Sequence, residues 1–300
     1  MISVIMLTYN REALVSRAIE SILRQTYQNF EFIIVDNGST DHSGELADTY
    51  AKKDPRIRVI HRQRGNIGAG RNTGLDAAQG EYLTFIDDDD WAEPDFLAFL
   101  LDLLEGNSAD VAICGAADKV YDEKKVMTAA ESLIELMWRK KYNMAFPTKL
   151  FRRELMEDLR FPEEGAYDDI ALMYKLLAGA KRVAYHGLSK YTFYRHGGNN
   201  SAWTTNHRLL NATTLEEYLH AYRTRTEWLS ELFPDSAPVW RYFEWSFMIS
   251  MVEKIIRLGI PGCERQLVAM KGELQVHRAE FLDAPETLDF EKEWMEKYLL

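Results

Sequence analysis

Residues 80–91 have the sequence GEYLTFIDDDDW, in which a short apolar run leads directly into four consecutive aspartates. The run, Tyr82–Ile86, has the near-continuous apolar character of a strand that is covered on both faces of a sheet. Four adjacent carboxylates repel one another and raise each other's pKa unless a cation neutralises them. Because this stretch contains no thiolate or imidazole, it suits a hard divalent ion such as Mg2+ or Mn2+. A solvated acidic loop without a ligand is the alternative.

Apolar runs of similar length lie on both sides of this stretch and alternate with amphipathic patterns that have helical spacing. Over the first 115 residues, the predicted strands are Ile2–Leu7, Phe30–Val35, Ile57–Ile60, Tyr82–Ile86 and Val111–Cys114. Strands that alternate with helices predict an α/β fold with a doubly wound, mostly parallel sheet. The first helix is expected behind Asn10 as its cap, and the second behind Ser39 or Thr40. A third helix is predicted over Arg71–Ala78 and a fourth after Pro94.

The pattern becomes mixed after residue 115 and almost entirely helical after residue 205. In the mixed part, the predicted elements are a strand at Lys149–Phe151, a helix at Asp168–Leu177 and strands at Val183–Tyr185 and Tyr191–Tyr194. In the helical part, the predicted helices are Leu209–Phe233, Val239–Leu258, Cys263–Phe281 and Phe290–Leu300. We therefore expect one domain over residues 1–205 and a C-terminal helical extension over residues 206–300. Five of the seven tryptophans lie beyond Ser201, either in the core of these helices or on a surface for self-association.

Polar clusters stand at the ends of four predicted strands. They are Thr8–Asn10, Asp36–Asp41, Gly65–Asn72 and Asp87–Asp90. Because ligands bind beyond the carboxyl ends of the strands in a doubly wound sheet, the four clusters together predict a ligand site at one edge. Each cluster taken alone is also what turns and helix caps use. The glycines of the third cluster are one residue off the dinucleotide fingerprint, but they suit a backbone that passes close to a ligand, with Arg71 near a helix N-terminus where anions bind.

Net charge and cysteine content argue against several classes of protein. The chain has 36 Lys and Arg against 47 Asp and Glu, a net charge of −11, whereas nucleic-acid binding requires a cationic surface. Cys114 and Cys263 are far apart, which argues against a thiolate metal site and a disulfide framework and indicates a reducing compartment. The N-terminus lacks the basic region of a signal peptide, and no apolar stretch reaches the ~20 residues that span a bilayer. We expect a soluble, cytoplasmic protein, although a local basic patch would allow peripheral contact with a membrane.

Five segments, in order, resemble the family 2 glycosyltransferases with the GT-A fold, which take sugars from nucleotide-diphosphate donors. The segments are Ser3–Asn10, Ile33–Asp41, Gly70–Gly74, Gly80–Asp90 and Asp168–Asp169. The resemblance covers about residues 2–205 and implies a GT-A type sheet in a catalytic domain over residues 1–205. Residues 1–115 would be its nucleotide-binding half and residues 116–205 its acceptor-side half. The helices of residues 206–300 match no motif of the family, and we expect acceptor choice or oligomerisation to be encoded there.

The resemblance also implies roles for individual residues in donor binding. The candidates are Thr8, Tyr9, Asn10, Asp36, Arg71, Asp87, Asp88, Arg195 and Ser201. Among them, Thr8, Tyr9 and Asp36 correspond to uracil contacts, and Asp36 would accept a hydrogen bond from the pyrimidine N–H. Arg195 and Ser201 belong to a segment that is similar to the loop that closes over the diphosphate.

The resemblance also assigns the metal ligand to Asp88–Asp89 and the catalytic base to Asp168–Asp169. Asp89 corresponds to the direct ligand of Mn2+ or Mg2+, although an aspartate at position 88, where the family usually has serine, leaves a one-residue ambiguity. Asp169 corresponds to the catalytic base. Asp168 stands where glutamate is usual and could act as the base instead. Both acids could also be no more than favourable residues at the start of a helix.

The implied reaction is the transfer of a sugar from a UDP-sugar to an acceptor hydroxyl, with inversion, in the assembly of a glycan, glycoprotein or cell-surface polysaccharide. A divalent cation would neutralise the leaving diphosphate, and a carboxylate would take the proton of the acceptor. A sugar-nucleotide pyrophosphorylase would carry a glycine-rich loop after the first strand, where Thr8–Ala13 contain no glycine. A catalytically silent sugar-nucleotide binder or scaffold is the other alternative. The sequence names neither the donor sugar nor the acceptor.

Overall fold

The computed structural model describes residues 1–117, 121–165, 168–199 and 206–299, without the side chain of Asp168. The chain divides into two compact units, Met1–Tyr194 and Arg195–Leu300. The strands of the first unit are β1 (Ile2–Thr8), β2 (Phe30–Asp36), β3 (Ile57–His61), β4 (Tyr82–Asp87), β5 (Trp91–Ala92), β6 (Val111–Ala116), β7 (Lys124–Met127), β8 (Lys149–Arg152) and β9 (Val183–Thr192). Its α-helices are α1 (Val15–Leu23), α2 (Ser43–Ala51), α3 (Ile67–Ala77), α4 (Phe96–Gly106), α5 (Ala129–Trp138) and α6 (Asp168–Gly179).

The strands form one mixed sheet. Their order is β3-β2-β1-β4-β8-β6-β9-β5, and β7 pairs with β9 outside this path. Strands β3, β2, β1 and β4 are parallel neighbours, and β6 is parallel to β9. Strands β5, β7 and β8 run antiparallel to their neighbours. The predicted α/β fold is confirmed.

Three features of the sheet differ from the sequence prediction. The two late strands predicted at Val183–Tyr185 and Tyr191–Tyr194 are one strand, β9, because Ser189 in its polar middle pairs with Gly115 of β6 across a register shift. Strand β5 has two residues, too few for a pattern, and β7 is largely polar. Their existence depends on pairing with β9, which the local sequence does not encode.

The two predicted helix caps are wrong, because the polar side chains in question join the loops to each other. Asn10 adopts a left-handed conformation, with φ of 52°, and its carboxamide oxygen accepts from the N–H of Thr40 at 2.8 Å. The Ser39 hydroxyl accepts from the N–H of Asn10 at 3.1 Å. Helix α1 therefore begins only at Val15, and α2 at Ser43. The contacts tie the β1–α1 loop to the β2–α2 loop at the carboxyl edge of the sheet.

Helix α3 lies directly on strand β1 because it has glycines on the face that meets the strand. A Cβ atom at Gly70 would lie 2.2 Å from Leu7 Cδ1, and one at Gly74 would lie 2.4 Å from Ile5 Cγ2. These separations are far shorter than van der Waals contact, so glycine is required for this packing. The close approach brings Arg71, the residue after Gly70, to the edge of the sheet.

The second unit is built from helices. They are α7 (Ala212–Leu232), α8 (Ala237–Leu258), α9 (Glu264–Val276), α10 (Arg278–Asp283) and α11 (Asp289–Leu299). Trp240 and Trp245 of α8 are buried, and the Tyr242 hydroxyl donates to Glu291 of α11 at 2.9 Å. These aromatic side chains therefore belong to the core of this unit. Within the parts of the chain that the structure describes, no helix is long and apolar enough to cross a membrane.

Candidate active site

Three predicted donor-binding residues lie at the carboxyl edge of the parallel strands. Thr8, at the end of β1, is in register with Asp36, at the end of β2. On the other side of β1, Leu7 is in register with Asp87, the last residue of β4. The strand ends therefore bring the three together, as the polar clusters in the sequence predict.

Arg71 connects this edge to the start of helix α6. Its Nη2 lies 3.3 Å from Asp87 Oδ1, and its Nη1 donates to Asp169 Oδ1. Three aromatic rings, those of Phe85, Phe146 and Phe161, lie within 5.9 Å of its guanidinium carbon. Only 6% of Arg71 is exposed, so its ion pairs are poorly screened by water. One buried cation, Arg71, thus joins the Asp87 carboxylate at the end of β4 to Asp169, which lies 98 positions after Arg71 in the sequence.

The four aspartates Asp87–Asp90 form an acidic turn, and the Asp88 carboxylate lies on the side of this turn that faces β1. Its Oδ2 accepts from the N–H of Tyr9 at 3.2 Å, and its Oδ1 lies 3.7 Å from Arg11 Nε. Burial raises the pKa of Asp88 to about 8, and the neighbouring charge of Asp89 adds to this effect. The same Arg11 nitrogen lies 3.9 Å from Asp89 Oδ2. Arg11 therefore balances part of the charge of two adjacent aspartates.

The Asp90 carboxylate fixes the other side of the turn. It accepts from the Tyr191 hydroxyl at 2.8 Å and from the N–H of Tyr194 at 2.7 Å. The Tyr191 hydroxyl in turn accepts from the N–H of Asp87 at 3.1 Å. Burial and, next, the charge of Asp87 raise the pKa of Asp90 above its ordinary value. This chain of hydrogen bonds is not visible in the sequence, because its members come from β4 and from strand β9.

Arg17 of α1 holds the backbone of the turn and was not predicted from the sequence. Its Nη2 donates to the carbonyl oxygen of Asp89 at 2.6 Å. Its guanidinium lies between two aromatic rings, 4.2 Å from the centroid of Trp91 and 4.4 Å from that of Tyr194. The sequence signal was present but weak: a basic residue among the apolar positions of an amphipathic helix. Arg17 stabilises the conformation in which the aspartate carboxylates are presented at the edge.

On the β2 side, the residues predicted to contact uracil have partners of their own. The guanidinium of Arg64 lies 3.9 Å from the ring centroid of Tyr9. Asp36 is buried, and its Oδ1 accepts from the N–H of Ser39 at 3.0 Å. Its Oδ2 lies 2.9 Å from Nδ1 of His61, the last residue of β3, which is in register with Asp36. Sequence reasoning missed His61, although its position at a strand end on the same edge could have identified it.

The remaining predicted residues lie on α6 or beyond the first unit. Asp168 is the first residue of α6, ahead of Asp169. Arg195 is exposed and is the first residue of the second unit. Ser201 lies outside the described residues. Lys149, at the start of β8, is fully buried, and its Nζ donates to the carbonyl of Ala145 at 2.6 Å.

The acidic turn provides only carboxylate oxygens, which are the donors that Mg2+ and Mn2+ prefer. Over the described ranges, no group of three or more His, Cys, Asp or Glu side chains could hold an ion. Such ions commonly bind through one or two carboxylates, waters and substrate phosphates. The residues therefore fit an ion shared with a diphosphate. Asp89, whose Oδ2 lies 3.9 Å from Arg11 Nε, is the aspartate of this turn that the resemblance assigns to the ion.

Comparison with known proteins identifies the family of the chain. The model of glycosyl transferase family 2 matches residues 3–161, just over half of the chain. EpsH of Bacillus subtilis is 36% identical over 181 residues, which cover 56% of this chain and 52% of EpsH. The chain thus spans about half the length of this relative.

Solved structures of low sequence identity share the fold. S. aureus TarS 1-349 in complex with UDP-GlcNAc is 19% identical, with a TM-score of 0.64 over 99% of this chain and 91% of that one. The mannosyltransferase PcManGT from Pyrobaculum calidifontis, in complex with GDP-Man and Mn2+, is 18% identical, with a TM-score of 0.61 over 99% of this chain and 84% of that one.

Proposed function

Since the chain belongs to glycosyl transferase family 2, we propose that it transfers a sugar from a UDP-sugar to an acceptor hydroxyl on a glycan or another hydroxyl-bearing acceptor. The observation that carries this proposal is the network around Arg71, which joins Asp87 at the donor edge to Asp169 on the acceptor side. Glycosyl transfer requires a donor site and a base at opposite sides of one sugar carbon. The proximity of Asp87 and Asp169 on one guanidinium supports a donor site and a base close to each other.

UDP is the proposed nucleotide because of Asp36. Its buried carboxylate is an acceptor at the edge of the sheet, and the N3–H of uracil is a donor. The TarS complex contains UDP-GlcNAc and the PcManGT complex contains GDP-Man, so the shared fold accommodates both nucleotides. The Asp36 carboxylate is therefore the feature from which we infer uracil.

Asp169 is the proposed general base. The acceptor oxygen attacks the sugar C1 and forms a new C1–O bond while the C1–O bond to the diphosphate breaks and its electron pair leaves with the diphosphate. The proton of the acceptor hydroxyl passes to the Asp169 carboxylate. The Asp169 carboxylate accepts a hydrogen bond from Arg71 Nη1, which fixes its orientation. A single displacement of this kind inverts the configuration at C1.

Donor-side residues stabilise the leaving diphosphate and orient the sugar. Asp87, fixed by Arg71 and by the Tyr191 hydroxyl, is proposed to contact the ribose or sugar. Asp89 is proposed to hold the divalent cation, which would supply positive charge against the charge that develops on the diphosphate. Arg17 and Asp90 keep the turn in place through the backbone.

Kinetics of two neighbouring variants test this assignment. Asp169→Asn should lower kcat for transfer by about 10²–10⁴-fold and leave the Kd for UDP nearly unchanged, because the base acts on the acceptor. Asp168→Asn is the matched control and should have a much smaller effect. The rates are measured as nucleotide release in the presence of acceptor, and the affinities by calorimetry. Near-normal transfer by Asp169→Asn, or a larger loss in Asp168→Asn, would show that the base is misassigned.

A further inference from the structure

His61 stands between two carboxylates. Its Nδ1 lies 2.9 Å from Asp36 Oδ2, and its Nε2 lies 3.1 Å from Asp48 Oδ1 on α2. A neutral imidazole has one donor nitrogen and one acceptor nitrogen, so it can satisfy only one of these carboxylates. Both contacts are hydrogen bonds only when the ring is protonated. The geometry is therefore that of an imidazolium bridging Asp36 and Asp48.

The carboxylate of Asp36 is restrained on several sides. Its Oδ1 accepts from the N–H of Ser39 at 3.0 Å, and its Oδ2 faces His61. A Cβ atom at Gly44 would lie 2.6 Å from that Oδ2 and 3.2 Å from His61 Cε1, so the first turn of α2 packs directly on the pair. A carboxylate has about four lone-pair sites, so the two hydrogen bonds leave capacity for a further donor.

We propose that His61 is a positioning residue for the nucleotide: anchored on Asp48, it holds the Asp36 carboxylate in the orientation that accepts the N3–H of uracil. This inference rests on the proposed function, because it takes Asp36 as the uracil contact. Asp48 has 43% of its side chain exposed, and it reaches Asp36 only through the imidazole. Asp48 would therefore influence nucleotide binding without touching the nucleotide.

The arrangement predicts a pH dependence with a definite sign. The charged groups that act on the imidazole are Asp36 from β2 and Asp48 from α2. Hydrogen bonds to both carboxylates raise the pKa of His61, and the bond to Asp36 has the larger effect. The ring is charged below this raised pKa and loses its proton as the pH rises through it. Above that pH only one of the two carboxylates keeps a donor, so uracil recognition should weaken as the pH rises.

The test measures the preference for UDP over CDP by calorimetry with Mg2+, at pH values on both sides of the raised pKa. Cytosine lacks the N3–H, whereas the diphosphate and the ion are common to both nucleotides, so the ratio of the two Kd values isolates the base contact. In the unmodified protein, the preference for UDP should fall as the pH rises. His61→Ala should lower the preference about tenfold and abolish its pH dependence. His61→Asn, which keeps an N–H near the position of Nδ1 but does not titrate, should restore much of the preference with a flat pH profile.

Two further variants separate this mechanism from a general structural effect. Asp48→Asn removes one of the two carboxylates that raise the pKa of His61, so the midpoint of the pH profile should move to lower pH. His42→Asn is the control, because the His42 ring contacts Glu45 at 2.9 Å and does not contact Asp36. It should leave both the preference and the midpoint unchanged. NMR titration of the His61 ring nitrogens gives the same midpoint without any nucleotide.

The outcomes distinguish the inference from the proposed function. If Asp36→Ala removes the preference for UDP while His61→Ala and Asp48→Asn leave its size and pH profile unchanged, the role of His61 is wrong and the proposed uracil contact stands. If Asp36→Ala keeps the preference, both are wrong. A His61 ring that titrates at or below its ordinary pKa would also overturn the inference, even if His61→Ala fails to fold.

Discussion

The four aspartates at the end of β4 and in the turn after it are held by several different groups, which explains how four carboxylates can lie so close together. Asp87 is paired with Arg71, Asp88 accepts from the N–H of Tyr9, and Asp90 accepts from Tyr191. Asp89 contributes its carbonyl oxygen to Arg17, so its conformation is fixed through the backbone. A substitution of the Asp89 side chain should therefore change charge and metal binding more than structure.

We expect Asp89→Asn to weaken Mn2+-dependent binding of UDP and to leave the melting temperature unchanged or slightly raised. One carboxylate fewer reduces the repulsion within the turn, and the ion loses its protein ligand. Calorimetric titration of UDP with and without Mn2+ measures the effect. Full metal-dependent turnover by Asp89→Asn, together with its loss in Asp87→Asn, would show that the ligand is assigned to the wrong aspartate.

The buried Lys149 predicts how the free energy of unfolding depends on pH, and this prediction does not involve the nucleotide. Burial lowers the pKa of Lys149 to about 8, against an ordinary value of 10.5 in the unfolded chain. Between these two pH values the unfolded chain binds more protons than the folded one, so this lysine makes stability rise with pH. The difference of 2.5 pH units corresponds to about 3 kcal/mol across that window.

Lys149→Met should remove this contribution. Denaturant unfolding of both proteins from neutral to alkaline pH gives the free energy of unfolding, and the unmodified protein should gain stability relative to the variant as the pH rises. Groups that titrate in both proteins cancel in the difference. A difference that is constant with pH would mean that the lysine keeps its ordinary pKa in the folded protein.

At the scale of secondary-structure elements, helix α3 determines where Arg71 lies. Because a Cβ at Gly70 would lie 2.2 Å from Leu7 Cδ1, Gly70→Ala should destabilise the protein by about 1–3 kcal/mol and weaken donor binding. Gly272 of α9 is the control, since nothing lies within 4 Å of a Cβ built there. Gly272→Ala should stabilise by about 0.5–1 kcal/mol. Equal effects of the two substitutions on unfolding would contradict the packing of α3 on β1.

The sequence predicts the elements whose signal is local. Strands β1, β2, β3 and β4 were predicted to within one residue at each end. Three of them, β1, β2 and β4, are almost entirely buried, which requires a near-continuous apolar run. Helix α3 was predicted four residues late, since its first turn, capped by the Asn66 carboxamide, has few apolar residues. The caps proposed at Asn10 and Ser39 fail because their side chains bind a neighbouring loop, which only the tertiary structure brings near.

The same distinction applies to the site. Thr8, Asp36 and Asp87 were identifiable because each ends or follows a predicted strand. His61, Arg17 and Tyr191 act through contacts with residues 13 or more positions away, and no local pattern marks such contacts. The pairing of Arg71 with Asp169 likewise arises from the approach of α3 to α6.

At the scale of the whole molecule, the sequence left two interpretations of the aromatic C-terminal helices: a core or a self-association surface. Trp240 and Trp245 are buried within their own unit, which favours the core. We therefore expect static light scattering to give the mass of a monomer, 34.8 kDa, at all concentrations. A mass that rises with concentration would favour a homo-oligomer, for which the exposed Val268 and Val276 of α9 would be the first residues to substitute.

The proposed function is tested with the whole 300-residue chain in a transfer assay. UDP-, GDP- and ADP-sugars are incubated with the protein, Mn2+ and candidate acceptors, and the released nucleotide is measured, with Asp169→Asn as the blank. We predict that UDP is released from at least one UDP-sugar, faster than GDP or ADP from the corresponding donors, and that the blank releases about 10²–10⁴-fold less. Release of GDP in preference to UDP, or equal release by Asp169→Asn, would contradict the proposal that this site transfers a sugar from UDP with Asp169 as the base.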